Sequence, residues 1–157
     1  MKVARVTLSD RASAGVYEDR SGPAIEEIFT ALAPEPVEWE RVVIADDRTE
    51  IEAILRRLCD QVRCELVLTT GGTGPAPRDV TPEATRAVIE RELPGFGEIM
   101  RVESFVKVKT SILSRATAGT RGRTLIINLP GNPKAVAECL PLLVPAIAEA
   151  LKHLRGG

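Results

Sequence analysis

The sequence predicts an α/β protein organised around a mostly parallel β-sheet, and three observations carry that prediction. Short apolar runs alternate with amphipathic runs of helical period. Several apolar runs lead straight into polar, glycine-bearing loops, as strands of a parallel sheet do. Three of the later amphipathic runs open on a helix-start signal, Asp47, Thr81-Pro82 and Asn132-Pro133.

In chain order, Lys2 to Leu8 reads as the first strand, with Val3, Val6 and Leu8 apolar, and not as a signal peptide. The loop Ser9 to Gly15 follows. A helix is expected from Ser21-Gly22-Pro23, with Ser21 as cap, Pro23 in the first turn, and Ile25, Ile28, Phe29 and Leu32 on one face. Glu38 to Ala45 reads as the second strand. Asp47 and Glu50 resemble a capping box ahead of a helix whose stripe is Ile51, Ile54, Leu55, Leu58 and Val62. Leu66 to Thr69 reads as a third strand entering Gly71-Gly72-Thr73-Gly74. A helix is expected from Thr81 (cap) and Pro82 up to Pro94-Gly95. A weaker helix covers Phe96 to Val106. Arg123 to Asn128 reads as a buried strand, with Thr117 to Thr120 as a short edge partner. The last helix carries Val136, Leu140, Leu143, Ile147 and Leu151 on one face, with Pro141 and Pro145 opposite and a bend expected there.

At 157 residues the chain is about one domain long, so residues 1–157 are expected to form a single unit. Lys+Arg is 21 and Asp+Glu is 22, a balance that argues against a polybasic nucleic-acid surface. Aromatics at 3% argue against stacking platforms for single strands. Arginines outnumber lysines, which leaves room for a local anion site. The most apolar stretch, Ala135 to Leu154, contains charges and prolines, so no membrane span is expected. Cys59, Cys64 and Cys139 form no CxxC pair and fit small buried side chains in a reducing compartment, and a cytoplasmic location is expected. His153 reads as a solvated helix-end residue.

Ligands of open parallel sheets bind beyond the carboxyl ends of the strands. Four segments leave a strand there: Ser9 to Gly15, Asp46-Asp47, Gly71 to Asp79, and Leu129 to Asn132. Successive N–H groups of Gly71-Gly72-Thr73-Gly74 suit phosphate oxygens, although an ordinary strand–helix turn has the same look. No Gly-Lys-Ser/Thr follows, so it is not a P-loop. Asp46 and Asp79 suit a Mg²⁺–nucleotide, against helix capping as the other reading. Arg78 suits a phosphate, or a pair with Asp79. Ser104, Ser111 and Ser114 do not differ physically from solvated hydroxyls. The residues themselves therefore reach an α/β domain for a phosphorylated, Mg²⁺-associated small molecule.

Gly71-Gly72-Thr73-Gly74 with Arg78-Asp79-Val80-Thr81-Pro82-Glu83-Ala84-Thr85 resembles the signature of the molybdopterin adenylyltransferase family, the MogA/MoaB-like proteins of molybdenum cofactor biosynthesis. Val6 to Asp10 with Ser13-Ala14-Gly15 and Asp19 to Gly22, the acidic pair Asp46-Asp47, and Asn128 to Lys134 with Ala137-Glu138-Cys139 resemble the same family, so the likeness spans essentially the whole chain. It implies a three-layer α/β/α sandwich and AMP transfer from Mg-ATP to the terminal phosphate of molybdopterin, with pyrophosphate released. It also implies a homotrimer and a molybdenum insertase as partner. By resemblance Asp46 is the catalytic, Mg²⁺-associated aspartate and Asp79 the second key acid. Ser9, Asp10, Gly71, Gly72, Thr73, Gly74, Arg78, Pro130, Gly131 and Asn132 fall in the ligand-holding loops, and Ser104 and Ser114 at hydroxyls linked to the pterin phosphate. A non-catalytic molybdopterin-binding or scaffold paralogue is the alternative, and a related nucleotide-metabolising enzyme is a third reading.

Overall fold

A computed structural model describes the whole chain, residues 1–157. Four strands run parallel in the spatial order β2 (Glu38–Ile44), β1 (Lys2–Leu8), β3 (Leu66–Thr70) and β6 (Thr124–Leu129). Two antiparallel strands, β5 (Ala118–Arg121) and β4 (Arg91–Glu92), extend the sheet beyond β6. The helices are α1 (Asp10–Ser13), α2 (Ser21–Leu32), α3 (Arg48–Asp60), α4 (Thr81–Val88), α5 (Gly95–Phe105) and α6 (Pro133–Leu154), with a 3₁₀ turn at Lys109–Leu113.

The layering follows from the strand period of two. Leu66, Leu68, Leu125, Ile127 and Leu129 point to one face, where they pack with Ile25 and Phe29 of α2, Met100 of α5 and Leu140 and Leu143 of α6. Val67, Ile126, Ala4, Val6 and Leu8 point to the other face, against Ile51, Leu55 and Leu58 of α3 and Ala84 and Val88 of α4. Two cores on one sheet make the expected three-layer sandwich. All six residues of β6 are buried, as expected of a strand covered on both sides. Truncating Ile127 to alanine removes contacts worth about 2–5 kcal/mol.

Most elements lie where the sequence places them, and the departures have local causes. Ser21 does not cap α2. Its hydroxyl donates to the Gly131 carbonyl, and Asp19 accepts the Gly22 N–H instead. Nor does Thr81 cap α4, whose cap position is Val80, because the Thr81 hydroxyl donates to the Gly71 carbonyl. Asp47 does cap α3, accepting from the Glu50 N–H at 2.9 Å. The segment expected to be only a loop after β1 contains the single turn α1, and α6 continues as one helix through Pro141 and Pro145.

Register decides where the strands end. Leu8 pairs with Ile44, Thr7 with Thr70, and Thr70 with Leu129. The carboxyl ends of four parallel strands therefore finish along one rim, and the four loops singled out in the sequence all start there.

Candidate active site

Each loop at the rim is fixed by its own polar contacts. After β1, the Ser9 N–H donates to the Ile44 carbonyl and the Ser9 hydroxyl accepts from the Ala12 N–H, so Ser9 caps α1. Asp10 then faces Asp46. The N–H of Asp10 donates to Asp46 Oδ2 at 3.1 Å, and the N–H of Asp46 donates to Asp10 Oδ1 at 3.0 Å. Arg78 closes a fork on the Asp10 carboxylate, with Nη2 to Oδ1 at 2.8 Å and Nε to Oδ2 at 3.0 Å. Arg78 therefore pairs with Asp10, and not with Asp79 as one sequence reading had it.

The glycine turn after β3 works by close approach. Gly71 has φ +100°, and a Cβ there would stand 2.4 Å from the Leu8 carbonyl oxygen. Gly72 has φ +65°, and a Cβ would stand 2.3 Å from Thr81 Oγ1 and 3.1 Å from Asp46 Oδ1. Only glycine fits both positions without strain. Beyond the turn, Asp79 accepts from the Ala76 N–H at 3.1 Å, and its Oδ2 lies against Gly74. Asp46 and Asp79 thus flank the same glycine turn from the loops after two different strands.

The third rim loop is stitched to the second. Thr70 Oγ1 donates to the Pro130 carbonyl at 2.5 Å, and a Cβ on Gly131 would meet the Gly71 Cα at 3.2 Å. Asn132 caps α6 by accepting from the Ala135 N–H at 2.8 Å. That structural role leaves its amide nitrogen available to a ligand.

Beside the turn lies a cleft of about 310 Å³. Thr73, Ser104, Ser114, Pro130 and Asn132, all singled out in the sequence, line it. Ser9, Asp10, Asp46, Arg78 and Asp79 do not. The predicted residues thus divide into two neighbouring groups, a carboxylate–glycine rim and a hydroxyl-lined cleft, with Thr73 in the cleft wall and its neighbours Gly72 and Gly74 on the rim. Sequence reasoning missed Arg101, Thr110 and Lys134 in the cleft, and it left Ser111 as a solvated hydroxyl. Arg101 shapes the wall by donating to the carbonyls of Ser114 and Ala116 at 3.3 and 2.9 Å. Lys134 was legible only through its place beside Asn132-Pro133, where the amino terminus of α6 and a cation both favour an anion.

Electrostatics separate the two facing carboxylates. Burial pushes the Asp46 carboxyl above its ordinary range; the Asp10 N–H works against that shift, and the negative charges of Asp10 and Asp79 add to it. Asp10 moves the opposite way, held down first by its hydrogen bond from Arg78. Asp46 Oδ1 is buried and has no hydrogen-bond partner. An orphaned anionic oxygen beside a glycine turn fits a cation. No group of three or more His, Cys, Asp or Glu side chains gathers to hold a metal. The residues therefore suit a Mg²⁺ held mainly by nucleotide phosphates and water, with Asp46 as the protein's own oxygen donor. Burial raises all three thiols, Cys59 to about 11 and Cys64 to about 12, and Cys139, the one that lines the cleft, is raised as well, which disfavours a thiolate nucleophile there.

Fold and site together define an α/β/α protein with a mostly parallel sheet, in which an acidic glycine rim lies beside a hydroxyl-lined cleft, and comparison places the chain in a family. Residues 4–149 match the family described as a probable molybdopterin binding domain, and the chain belongs to that family. A molybdopterin adenylyltransferase of Helicobacter pylori (strain J99) is 54% identical over 151 residues, 96% of this chain and 86% of that protein. The molybdopterin adenylyltransferase of Escherichia coli (strain K12) is 49% identical over 153 residues, 98% of this chain and 78% of that protein. Among solved structures, the molybdopterin biosynthesis enzyme MoaB of Thermus thermophilus superposes with a TM-score of 0.89 at 41% identity, covering 99% of this chain and 97% of that one.

Proposed function

We propose that this chain is a nucleotidyltransferase of molybdenum cofactor biosynthesis that adenylylates molybdopterin at the expense of ATP. The observation that carries the reading is the place of Thr73, which lines the cleft while Gly72 and Gly74 on either side of it lie against Asp46 and Asp79. Two anions bound at these two places meet across a single residue.

In this reading the ATP phosphates lie along Gly71 to Gly74, whose N–H groups would serve as their donors. Molybdopterin occupies the cleft, its phosphate within reach of the Ser104 and Ser114 hydroxyls and its charge offset by Lys134. An oxygen of the pterin phosphate attacks the α-phosphorus of ATP, the bond from that phosphorus to the bridging oxygen breaks, and pyrophosphate leaves with the electron pair. The nucleophile is already an anion, so no side-chain base is needed. The protein's work is alignment and charge compensation. Mg²⁺ bound with ATP would supply positive charge at the phosphates, and Asp46 is the residue that would hold it. Asp10 and Arg78 keep Asp46 in place, and Asp79 fixes the far end of the turn.

The same reading takes residues 1–157 as one functional unit working in the cytoplasm, where three free, buried thiols are at home. It also includes self-association. Val102, Phe105, Val106, Ile112 and Leu113 expose apolar side chains on α5 and the following 3₁₀ turn, and Val108 between them lines the cleft. A homotrimer joined through this face would border each cleft with a neighbouring subunit, and a molybdenum insertase would receive the product. The test is incubation with ATP, Mg²⁺ and molybdopterin. Stoichiometric pyrophosphate and a pterin product heavier by one AMP are expected, and binding of both ligands without pyrophosphate would favour a non-catalytic module.

A further inference from the structure

Arg115, which does not itself line the cleft, is the most heavily committed side chain beside the site. Its Nε donates to the Gly74 carbonyl at 2.9 Å and its Nη2 to the Asp79 carbonyl at 2.8 Å. Its Nη1 donates to Glu83 Oε2 at 2.5 Å, and its own N–H donates to the Thr73 carbonyl at 2.7 Å. Each guanidinium nitrogen thus donates to a protein acceptor, which commits three of the five N–H groups to the rim loop and α4. The acceptors are the two ends of the rim loop and the first turn of α4. The preceding residue, Ser114, lines the cleft, and its carbonyl and that of Ala116 are held by Arg101. A continuous set of hydrogen bonds therefore runs from the cleft wall through residues 114–116 into the rim loop.

We infer that Arg115 is a positioning residue that fixes the Thr73–Asp79 loop at a set distance from Ser114, and so fixes the ATP phosphates relative to the pterin phosphate. This inference rests on the adenylyl-transfer reading above. The planar guanidinium spans two carbonyls and a carboxylate at once, which a lysine ammonium cannot do. Glu83 holds the fork in its plane. Transfer between two bound anions is sensitive to misplacement of about 1 Å, which costs on the order of 100-fold in rate. Loss of the brace should therefore lower turnover more than it lowers the affinity for either ligand, because each subsite keeps its own groups.

The test compares wild type, Arg115→Lys and Arg115→Ala for turnover, for KM of ATP and of molybdopterin, and for amide hydrogen exchange, with folding checked by circular dichroism. In Arg115→Ala, kcat should fall about 10- to 100-fold, with both KM values within about threefold of wild type. Exchange at Ala76 and Asp79 should quicken while β1 stays protected. Added ethylguanidinium should restore part of the lost kcat, and Arg115→Lys should stay impaired. A role in folding alone would lower the melting temperature without the kcat loss or its chemical rescue. Unchanged kcat, a loss confined to KM, or unchanged exchange at the loop would overturn the inference. If wild type itself forms no adenylylated product, the adenylyl-transfer reading fails, and the exchange data alone then decide whether Arg115 braces the loop.

Discussion

Asp10 and Asp46 hold each other by reciprocal hydrogen bonds, the backbone N–H of each donating to the carboxylate of the other at 3.1 and 3.0 Å. The pair spans two loops that leave neighbouring parallel strands, so it fixes Asp46 by backbone as well as side chain. Its cost is two negative charges in close proximity, which Arg78 offsets by direct hydrogen bonds on the Asp10 side and by its charge alone on the Asp46 side.

Asp46→Asn should separate activity from stability. Loss of the anionic oxygen should lower kcat about 100-fold or more, with molybdopterin binding retained. Stability should not suffer. Burial raises the carboxyl's pKa, so its ionisation costs the folded state; the cost is absent below the ordinary value near 3.8 and grows as pH rises through the folded pKa. The variant should therefore melt no lower than wild type at pH 7, as thermal unfolding would report. A large drop in melting temperature would mean that Asp46 serves the fold.

Gly72→Ala should harm both. The new Cβ would collide with Thr81 Oγ1 at 2.3 Å and crowd Asp46 Oδ1, in a backbone conformation that costs a non-glycine residue about 1–3 kcal/mol. Urea unfolding should show that loss, and turnover of the remaining folded protein should also fall. Wild-type turnover would show that the turn does not need its close approach to Asp46.

Glu26 supplies the pH test. It is gripped first by Arg41 and then by the buried Arg5, and its pKa is lowered accordingly. A lowered pKa gives stability that is present above the ordinary value of 4.5 and lost as pH falls through the folded value. Glu26→Gln should cost about 1–3 kcal/mol at pH 7, and the gap to wild type should close in acid. A gap that stays constant down to pH 3 would assign the loss to packing.

Val102 is 64% exposed on the apolar face of α5. Val102→Glu should leave the monomer's fold intact and shift light-scattering mass from that of the proposed trimer to that of the monomer. A monomeric wild type, or an unaffected assembly, would remove this face from self-association.

Much of this was legible in the sequence, and what was missed has a common cause. Five of the six strands were legible because apolar runs bounded by turns are a local signal, and the Asp47 cap because its partner Glu50 lies three residues away; β4 was not, since the helix expected from Thr81 up to Pro94 stops at Val88 and Arg91–Glu92 pairs with β5 instead. Ser21 and Thr81 looked like caps by the same local rule, but each hydroxyl found a carbonyl across the rim instead, at Gly131 and Gly71. The Arg78–Asp10 fork joins residues 68 apart, and Arg115 reaches Gly74 from 41 residues away. No spacing rule encodes such pairs. The resemblance supplied Ser104 and Ser114, and only the fold puts them on one cleft wall with Thr73.

The account turns on distance between two bound anions. A crystal structure with molybdopterin and a non-hydrolysable ATP analogue measures it directly. The account predicts the pterin phosphate oxygen about 3–3.5 Å from the α-phosphorus, beside Thr73, with the nucleotide phosphates along Gly71 to Gly74. A nucleotide bound away from the Asp46–Gly72 rim, or a pterin phosphate pointing out of the cleft away from Ser104 and Ser114, would contradict it.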